Sequence, residues 1–565
     1  MDFTARLRLL FVLIVFASLA IVYRLFYWQV IASPGLTAAA ENQHWVSFPL
    51  PSQRGEILAS DGFPLVTNRQ AHLLYASIPD LNKSSAEITD AISPILGLDK
   101  SSTEAASIKE RLSRQDLVWV SLARRLSPST RQQLEELGIA GLGFENENLR
   151  GYPEGSMAAH LVGFVGEGEE GPKGFFGLEG FYDLELRGQP GSMKREKDIQ
   201  GSPILIGQAI ENKAKQGRTL QTTINRSVQY LVEKKLEDGL RRYGATSGSI
   251  IVLDPKSGAI LSAASRPAYD PLLYWQTDPI LLSDPVISAS FEPGSIFKVL
   301  IMAAALDAGV VKPDSRCPIC NGPKQSGEYT IETWNDQYYP DSTMTEIIQH
   351  SDNVGMVYVA EQLGLEKLYD YLQQFGIGSA TRVDLEGENV PQLRPKKDWS
   401  VVDLDTSSFG QGIAVTPLQM AKSVAAIANQ GRMMRPYLVK QVISGEGSLD
   451  IKPKEEGQVI RPVTAKQITE MMVNAVEKGE AKWAKPKGYR IAGKTGTAQI
   501  PIAGHYDQEK TIASFIGFAP ADDPAFLMLV TLREPSTSPW GSETAAPLWF
   551  EIAKEIFGLF SILPE

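Results

Sequence analysis

Ser295 and Lys298 stand three residues apart at the head of an apolar run, in Phe291-Glu292-Pro293-Gly294-Ser295-Ile296-Phe297-Lys298-Val299-Leu300. On a helix, residues at that spacing share a face. Pro293 and Gly294 mark where such a helix starts. Ser295 is then expected in the first turn, where unpaired backbone N–H groups and the helix dipole favour developing negative charge. A serine hydroxyl is a poor nucleophile until a base takes its proton, and a lysine whose pKa is lowered by burial or positive neighbours can do so. The spacing alone is weak, because Ser-x-x-Lys turns up on the order of twice in a chain this long at ordinary residue frequencies.

Ser351-Asp352-Asn353 follows an expected helix capped by Thr343, with Glu346 at the capping-box position, and precedes an apolar stretch from Val354. It falls on a helix–helix junction, where Ser351 can relay a proton and Asn353 can hold a substrate amide. A plain capping turn is the alternative. Lys494-Thr495-Gly496-Thr497 reads as an edge strand. One ammonium, two hydroxyls and a glycine on such an edge let an extended peptide lie alongside and clamp its carboxylate. The alternative is a solvated lysine that discourages edge-to-edge aggregation. Lys-Thr-Gly is the more specific signal, expected by chance roughly a tenth of a time in a chain of this size.

Positioning these residues takes several folded units, since 565 residues exceed what one hydrophobic core supports. Hydrophobic residues at 43% and charged residues at 21% are those of globular domains. A net charge of -11 without a long basic run excludes a general nucleic-acid role. An amphipathic helix is expected from Thr222 through Val228, Leu231, Val232, Leu236 and Leu240, with Asn225 as N-cap. Residues 249–253 and 259–264, around the turn 254–258, read as a β-hairpin. Strand-like runs return near 513–519 and 525–532, and a last helix at 545–559 covers one face of the resulting sheet. Residues 32–217 read as an elongated, irregular α+β module, with helical periodicity near 86–96 and 129–137.

At the amino terminus Arg6 and Arg8 precede an apolar run from Leu9 to Tyr23 that continues after Arg24 to Ile31. It reads as a transmembrane signal anchor over 9–31, with 1–8 in the cytoplasm and the rest exported. A cleavable signal peptide ending at Ser18-Leu19-Ala20 is the alternative. Cys317 and Cys320, the two cysteines, are open to a tight disulfide, part of a metal site or free thiols.

In this order the three motifs form the signature shared by penicillin-binding proteins and serine β-lactamases, and the chain resembles the penicillin-binding protein transpeptidases. Phe409-Gly410-Gln411-Gly412, Thr416-Pro417-Leu418-Gln419 and Asn429-Gln430-Gly431 resemble the family's segment between the second and third motifs. Arg54-Gly55-Glu56-Ile57-Leu58 with Asp61-Gly62, Tyr152-Pro153 through His160 to Gly163, and Gly177-Leu178-Glu179 resemble the non-catalytic pedestal of class B, monofunctional members. Ala59-Ser60-Asp61 stand where the family usually has an Asp-Arg pair, a departure that touches pedestal packing more than chemistry.

The resemblance implies an α+β chain made of an N-terminal transmembrane helix, a pedestal over 32–217 and a transpeptidase domain over 218–565. In that domain an antiparallel sheet carries helices on both faces, beside an all-helical subdomain. It implies a plasma-membrane enzyme of peptidoglycan synthesis, in cell division or cell shape, that cross-links stem peptides ending in D-Ala-D-Ala and is the target of β-lactams. Ser295 would form the acyl-enzyme, Lys298 would be its general base, Ser351 would shuttle the proton and Asn353 would hold the acyl-side amide. Lys494, Thr495, Gly496 and Thr497 would bind the substrate carboxylate, and the N–H groups of Ser295 and Thr497 would form the oxyanion hole. No metal or organic cofactor is implied, and a SEDS-family glycosyltransferase is the expected membrane partner. A D,D-carboxypeptidase or β-lactam hydrolase on the same fold is the rival enzyme, and an inactive membrane-anchored scaffold the non-enzymatic rival.

Overall fold

The computed structural model of the protein describes residues 2–37, 45–169, 171–196, 209–502 and 505–564. Packing separates the chain into two compact units, Met1–Arg54 with Arg187–Gly217, and Gly55–Leu186 with Arg218–Glu565.

The first unit opens with helix α1 (Phe3–Phe26), extended by a π turn over Tyr27–Ile31. The helix starts ahead of the apolar run expected from Leu9, because Arg6 and Arg8 are themselves good helix formers. Its 29 residues rise by about 1.5 Å each, roughly 44 Å in all, more than the ~30 Å hydrocarbon core of a bilayer. None of them is buried by the protein. A bare apolar helix of this length, with the Arg24 guanidinium 5.4 Å from the Trp28 ring near its end, is consistent with a single membrane anchor. The unit also holds a three-stranded antiparallel sheet in which Gly191–Glu196 lies between Trp45–Leu50 and Ala209–Asn212.

In the second unit, helices Ser85–Ile92 and Thr103–Leu112 pack Ile88, Ile92, Ile108 and Leu112 against Leu74 and Ala76 of strand Pro64–Ser77. The strand's sheet is wider than the module boundary suggested: Thr219–Thr222 runs parallel to Ile57–Leu58 and antiparallel to Val439–Ser444. The segments singled out between 150 and 179 converge around a buried ion pair, in which Arg150 donates to Glu179 Oε1 at 2.7 Å.

The sheet that carries the motifs is assembled from both ends of the remaining chain. Helix α2 (Arg226–Tyr243) is capped by Asn225, whose side chain accepts from Val228 N–H, as expected. The hairpin β1 (Ser247–Leu253) and β2 (Ile260–Arg266) follows. A helical centre contains α3 (Lys298–Asp307), α4 (Met344–His350), α5 (Asn353–Leu363) and α6 (Pro462–Lys478). The chain then returns to the sheet as β3 (Ala492–Ile502), β4 (His505–Ala519) and β5 (Phe526–Arg533), and ends on α7 (Ala545–Leu559). Strand order is β2-β1-β5-β4-β3, antiparallel throughout, which leaves β3 at an edge.

Both faces of this sheet are covered. Ile250, Val252, Phe515, Met528 and Val530 meet α2 and α7 through Val232, Leu236, Trp549 and Ile552, while Ile251, Leu253, Ile516, Leu527 and Leu529 meet the helical centre. A strand buried on both faces must be apolar at every position, which is why Phe526-Leu527-Met528-Leu529-Val530 lacks alternation. Each fully buried aliphatic side chain stabilises this packing by about 2 kcal/mol.

Candidate active site

Ser295 lies in a 3-10 turn, Gly294–Phe297, that leads into α3. The tighter turn replaces the first α turn expected, and it eclipses residues three apart, so Ser295 and Lys298 still share a side. Gly294 has a φ of +55°, and a Cβ there would stand 3.0 Å from Thr497 O, so only glycine lets this turn approach the edge strand. Gly496 serves the same approach from the other side, since a Cβ on it would come within 2.8 Å of Ile296 Cγ2 and 2.4 Å of Ser514 Oγ. That gives Gly496 a packing role against the Ser295 turn, where close approach of a ligand was expected. The turn is tied down by the 409–412 segment: Gly294 N–H donates to Gly410 O at 3.0 Å and Gly412 N–H to Glu292 Oε1 at 3.2 Å.

Helix α3 is apolar all round and buried throughout, and it carries Lys298 with it into the interior, where the side chain is 0% exposed. Lys298 Nζ donates to Ser351 O at 2.6 Å and Asn353 Oδ1 at 2.7 Å, with Ser351 Oγ at 3.3 Å. A neutral amine has two protons and one lone pair, so the two short contacts use its donors and leave the lone pair as a base. Burial and the neighbouring Lys494 ammonium push Lys298 well below the ordinary lysine range, against the pull of Asp352 and Glu480.

Ser351-Asp352-Asn353 occupies the expected junction. Thr343 and Glu346 make both bonds of a capping box at the start of α4, Ser351 closes that helix with φ +57°, and Asp352 caps α5 by accepting from Gly355 N–H at 3.1 Å. The capping turn is present, and the same left-handed turn at Ser351 places its carbonyl against Lys298 and its hydroxyl against Lys494. Asn353 Nδ2 donates to Glu332 O at 2.9 Å, which leaves its second amide proton for a ligand.

Lys494 is 2% exposed, which rules out the solvated edge lysine. Its Nζ donates to Ser351 Oγ at 2.9 Å, Thr495 O at 3.1 Å and Thr495 Oγ1 at 3.3 Å. Burial lowers its pKa to about 8, opposed by the Glu480 carboxylate. Strand alternation places Thr495 and Thr497, both half-buried, on one face of β3, and the Lys494 ammonium reaches the Thr495 hydroxyl, so a cation and hydroxyls stand together along this edge. Thr497 Oγ1 accepts from Gly541 N–H at 3.0 Å, so its own proton remains available.

Four residues beside these motifs were not anticipated. Trp334 and Trp540 meet edge to face, ring centroids 4.9 Å apart; the Trp334 indole donates to His350 O, next to Ser351, and Trp540 precedes Gly541, which holds Thr497. Glu480 follows α6 and shares a small cavity with Lys494. Each sits in a loop whose neighbours come from distant sequence, and no local spacing marks it. Cys317 and Cys320 form a disulfide, which settles the three alternatives for that pair.

Comparison with known proteins follows the same lines as the geometry. The penicillin-binding protein transpeptidase domain matches residues 248–558, and the penicillin-binding protein dimerisation domain matches residues 49–222. The chain is 32% identical to Stage V sporulation protein D of Bacillus subtilis, over 99% of this chain and 87% of that protein. It is 28% identical to the probable peptidoglycan D,D-transpeptidase PenA of Neisseria meningitidis, over 99% and 94%. Among solved structures, penicillin-binding protein 2X of Streptococcus thermophilus superposes with a TM-score of 0.75 at 25% identity, covering 91% of this chain and 81% of that one. Penicillin-binding protein 3 of Mycobacterium tuberculosis, complexed with aztreonam, gives 0.69 at 25% identity, covering 92% and 98%.

Proposed function

The chain belongs to the class B penicillin-binding proteins, and from that premise we propose that Ser295 is the nucleophile with which it works as a peptidoglycan D,D-transpeptidase. The observation that carries this reading is the convergence of two buried amines, Lys298 and Lys494, on Ser351 Oγ beside the Ser295 turn. Ser295 Oγ attacks the carbonyl carbon of the penultimate D-Ala of a stem peptide, and neutral Lys298 takes the hydroxyl proton. The bond to the terminal D-Ala breaks, and Ser351 passes a proton to the departing amine. An amino group of a second stem peptide then attacks the acyl-enzyme, forms the cross-link and frees Ser295.

The remaining roles follow. Backbone N–H groups of Ser295 and Thr497 stabilise the oxyanion, a role favoured by the close packing of the Gly294 turn on Thr497. Asn353 holds the acyl-side amide through its remaining proton. Lys494, Thr495 and Thr497 meet the substrate carboxylate, and β-lactams acylate Ser295 by the same route. Residues 32–217 serve as the pedestal and 218–565 as the transpeptidase domain. Helix α1 holds the enzyme in the plasma membrane with residues 1–8 inside and the bulk outside, beside a SEDS-family glycosyltransferase. Protease added outside spheroplasts should then leave a short fragment around α1, and full protection of the chain would reverse the orientation.

The deciding experiment is intact mass after incubation with benzylpenicillin. One adduct, located to the Ser295 peptide and lost in Ser295→Ala, is the expected result. An adduct elsewhere would remove Ser295 from its role. Product analysis with stem peptides separates cross-linked dimers from the trimmed peptides of a carboxypeptidase.

A further inference from the structure

Helix α6 ends at Gly479, whose N–H closes the last turn on Ala475 O at 3.0 Å, and the chain then turns Glu480 toward the edge strand. Glu480 lines a small cavity together with Gln349, Gly493, Lys494, Thr495 and Phe515, with room for about one water molecule. Glu480 Oε1 is buried there and has no hydrogen-bond partner among the described residues. The Lys494 ammonium gives its protons to Ser351 and Thr495 and forms no ion pair with it. A buried carboxylate oxygen without a partner is costly unless nearby positive charge offsets it, and the two amines beside this half-buried side chain supply that charge.

We propose that Glu480 is a positioning residue of the active site, a carboxylate that acts across this cavity and keeps the site's proton on Lys494 rather than on Lys298. The inference rests on the transpeptidase reading above. Lys298 Nζ and Lys494 Nζ stand 3.3 and 2.9 Å from the same oxygen, Ser351 Oγ, so the nitrogens lie no more than about 6 Å apart. Two unit charges so close inside a protein repel strongly enough to keep both from being charged together. Glu480 breaks the tie between the amines, because Lys494 lines the cavity with it and Lys298 does not. The groups facing it are Lys494 from β3 and Lys298 from α3, with Asp352 at the start of α5 acting on Lys298 and the neutral Gln349 from α4. Lys478 and Lys482, on its own stretch, are exposed. Burial holds Glu480 above the usual carboxylate range against the pull of both lysines, and its charge in turn resists the fall of Lys494 below about 8.

Removing the charge should therefore make Lys494 release its proton at lower pH. The test measures the second-order rate of acylation by benzylpenicillin from pH 5 to 10 in the full-length protein, in detergent, for the wild type, Glu480→Gln, Glu480→Asp and Glu477→Gln. Glu477 is the control, an exposed carboxylate paired with Lys485. The alkaline limb should move down by about one pH unit in Glu480→Gln, roughly a fivefold loss at pH 8 that approaches tenfold above about pH 9, and return partway in Glu480→Asp. The control should overlay the wild type. If Glu480→Gln does not fold, the smaller shift in Glu480→Asp decides. Profiles that coincide while the wild type is acylated at Ser295 would overturn the inference and leave the transpeptidase reading standing. A wild type that takes no adduct at Ser295 would bring down both.

Discussion

Two buried amines meet at one hydroxyl: Lys494 Nζ donates to Ser351 Oγ at 2.9 Å, and Lys298 Nζ stands 3.3 Å from the same oxygen. A hydroxyl that accepts from the Lys494 ammonium beside a neutral Lys298 amine keeps its own proton to donate. That is the geometry a proton shuttle needs, and it makes the protonation of the pair the quantity that controls the chemistry.

The pH dependence follows from that pair. Lys298 acts as a base only when neutral, and burial with a positive neighbour makes it neutral far below the ordinary lysine range. Lys494 serves a carboxylate ligand only when charged, and it loses its proton as pH rises through about 8. Acylation by a penicillin should rise on the acid side and fall above about pH 8. A penicillin methyl ester, which offers no carboxylate, should lack the fall. An alkaline limb of equal depth with the ester would detach Lys494 from carboxylate recognition.

Lys298→Arg keeps a positive charge and loses the base, since a guanidinium is not deprotonated in proteins. Acylation should slow by at least a thousandfold, roughly 4 kcal/mol in the barrier. The larger side chain also enters a site with 0% exposure, so a thermal melt must accompany the kinetics. A folded variant with a near-normal rate would sink the general-base role.

How much of this could be read in advance depended on whether the signal was local. The Asn225 cap, the Thr343–Glu346 capping box and the edge-strand lysine are each set by residues within a few positions, and each stands where the spacing put it. Fold class was legible for the same reason, since the strand-like runs and α7 are strongly apolar. The sharing of one sheet by 57–58, 219–222 and 439–444 was not, because strands of two to six residues carry too little alternation to register. Gly541 reaches Thr497 across 44 residues, and Glu480 faces Lys494 only because α6 packs beside β3. The 3-10 turn at Ser295 depends on how near the edge strand comes to Gly294, a tertiary fact with no local trace.

The Cys317–Cys320 disulfide closes a loop of four residues in the buried helical centre. On loop-closure entropy alone it should contribute about 2 kcal/mol of stability. Replacing both cysteines with alanine should lower the melting temperature by a few degrees and leave acylation of Ser295 within about twofold, since the pair lies outside the three motifs. Before reduction, a maleimide should label neither cysteine in the unfolded wild type. Ready labelling would show that the thiols are free in the protein as made.

Thr497→Val separates the two uses of one hydroxyl. Thr497 Oγ1 accepts from Gly541 N–H at 3.0 Å, and its own proton is left to meet a ligand carboxylate. Valine keeps the shape and removes both functions. Loss of the acceptor leaves Gly541 N–H short of a partner, which costs about 1 kcal/mol, so a modest fall in thermal stability is expected. Loss of the donor removes a charge-assisted hydrogen bond, about 1.5–3 kcal/mol, and should slow acylation by carboxylate-bearing penicillins roughly ten- to a hundredfold. The methyl ester cannot form that bond in its charge-assisted form, so its rate should fall much less. The ratio of acid to ester rates isolates recognition from stability, because a loosened Gly541 loop slows both alike. Equal losses for acid and ester would assign the Thr497 hydroxyl to the loop or to the oxyanion region, and its role in carboxylate recognition would be withdrawn.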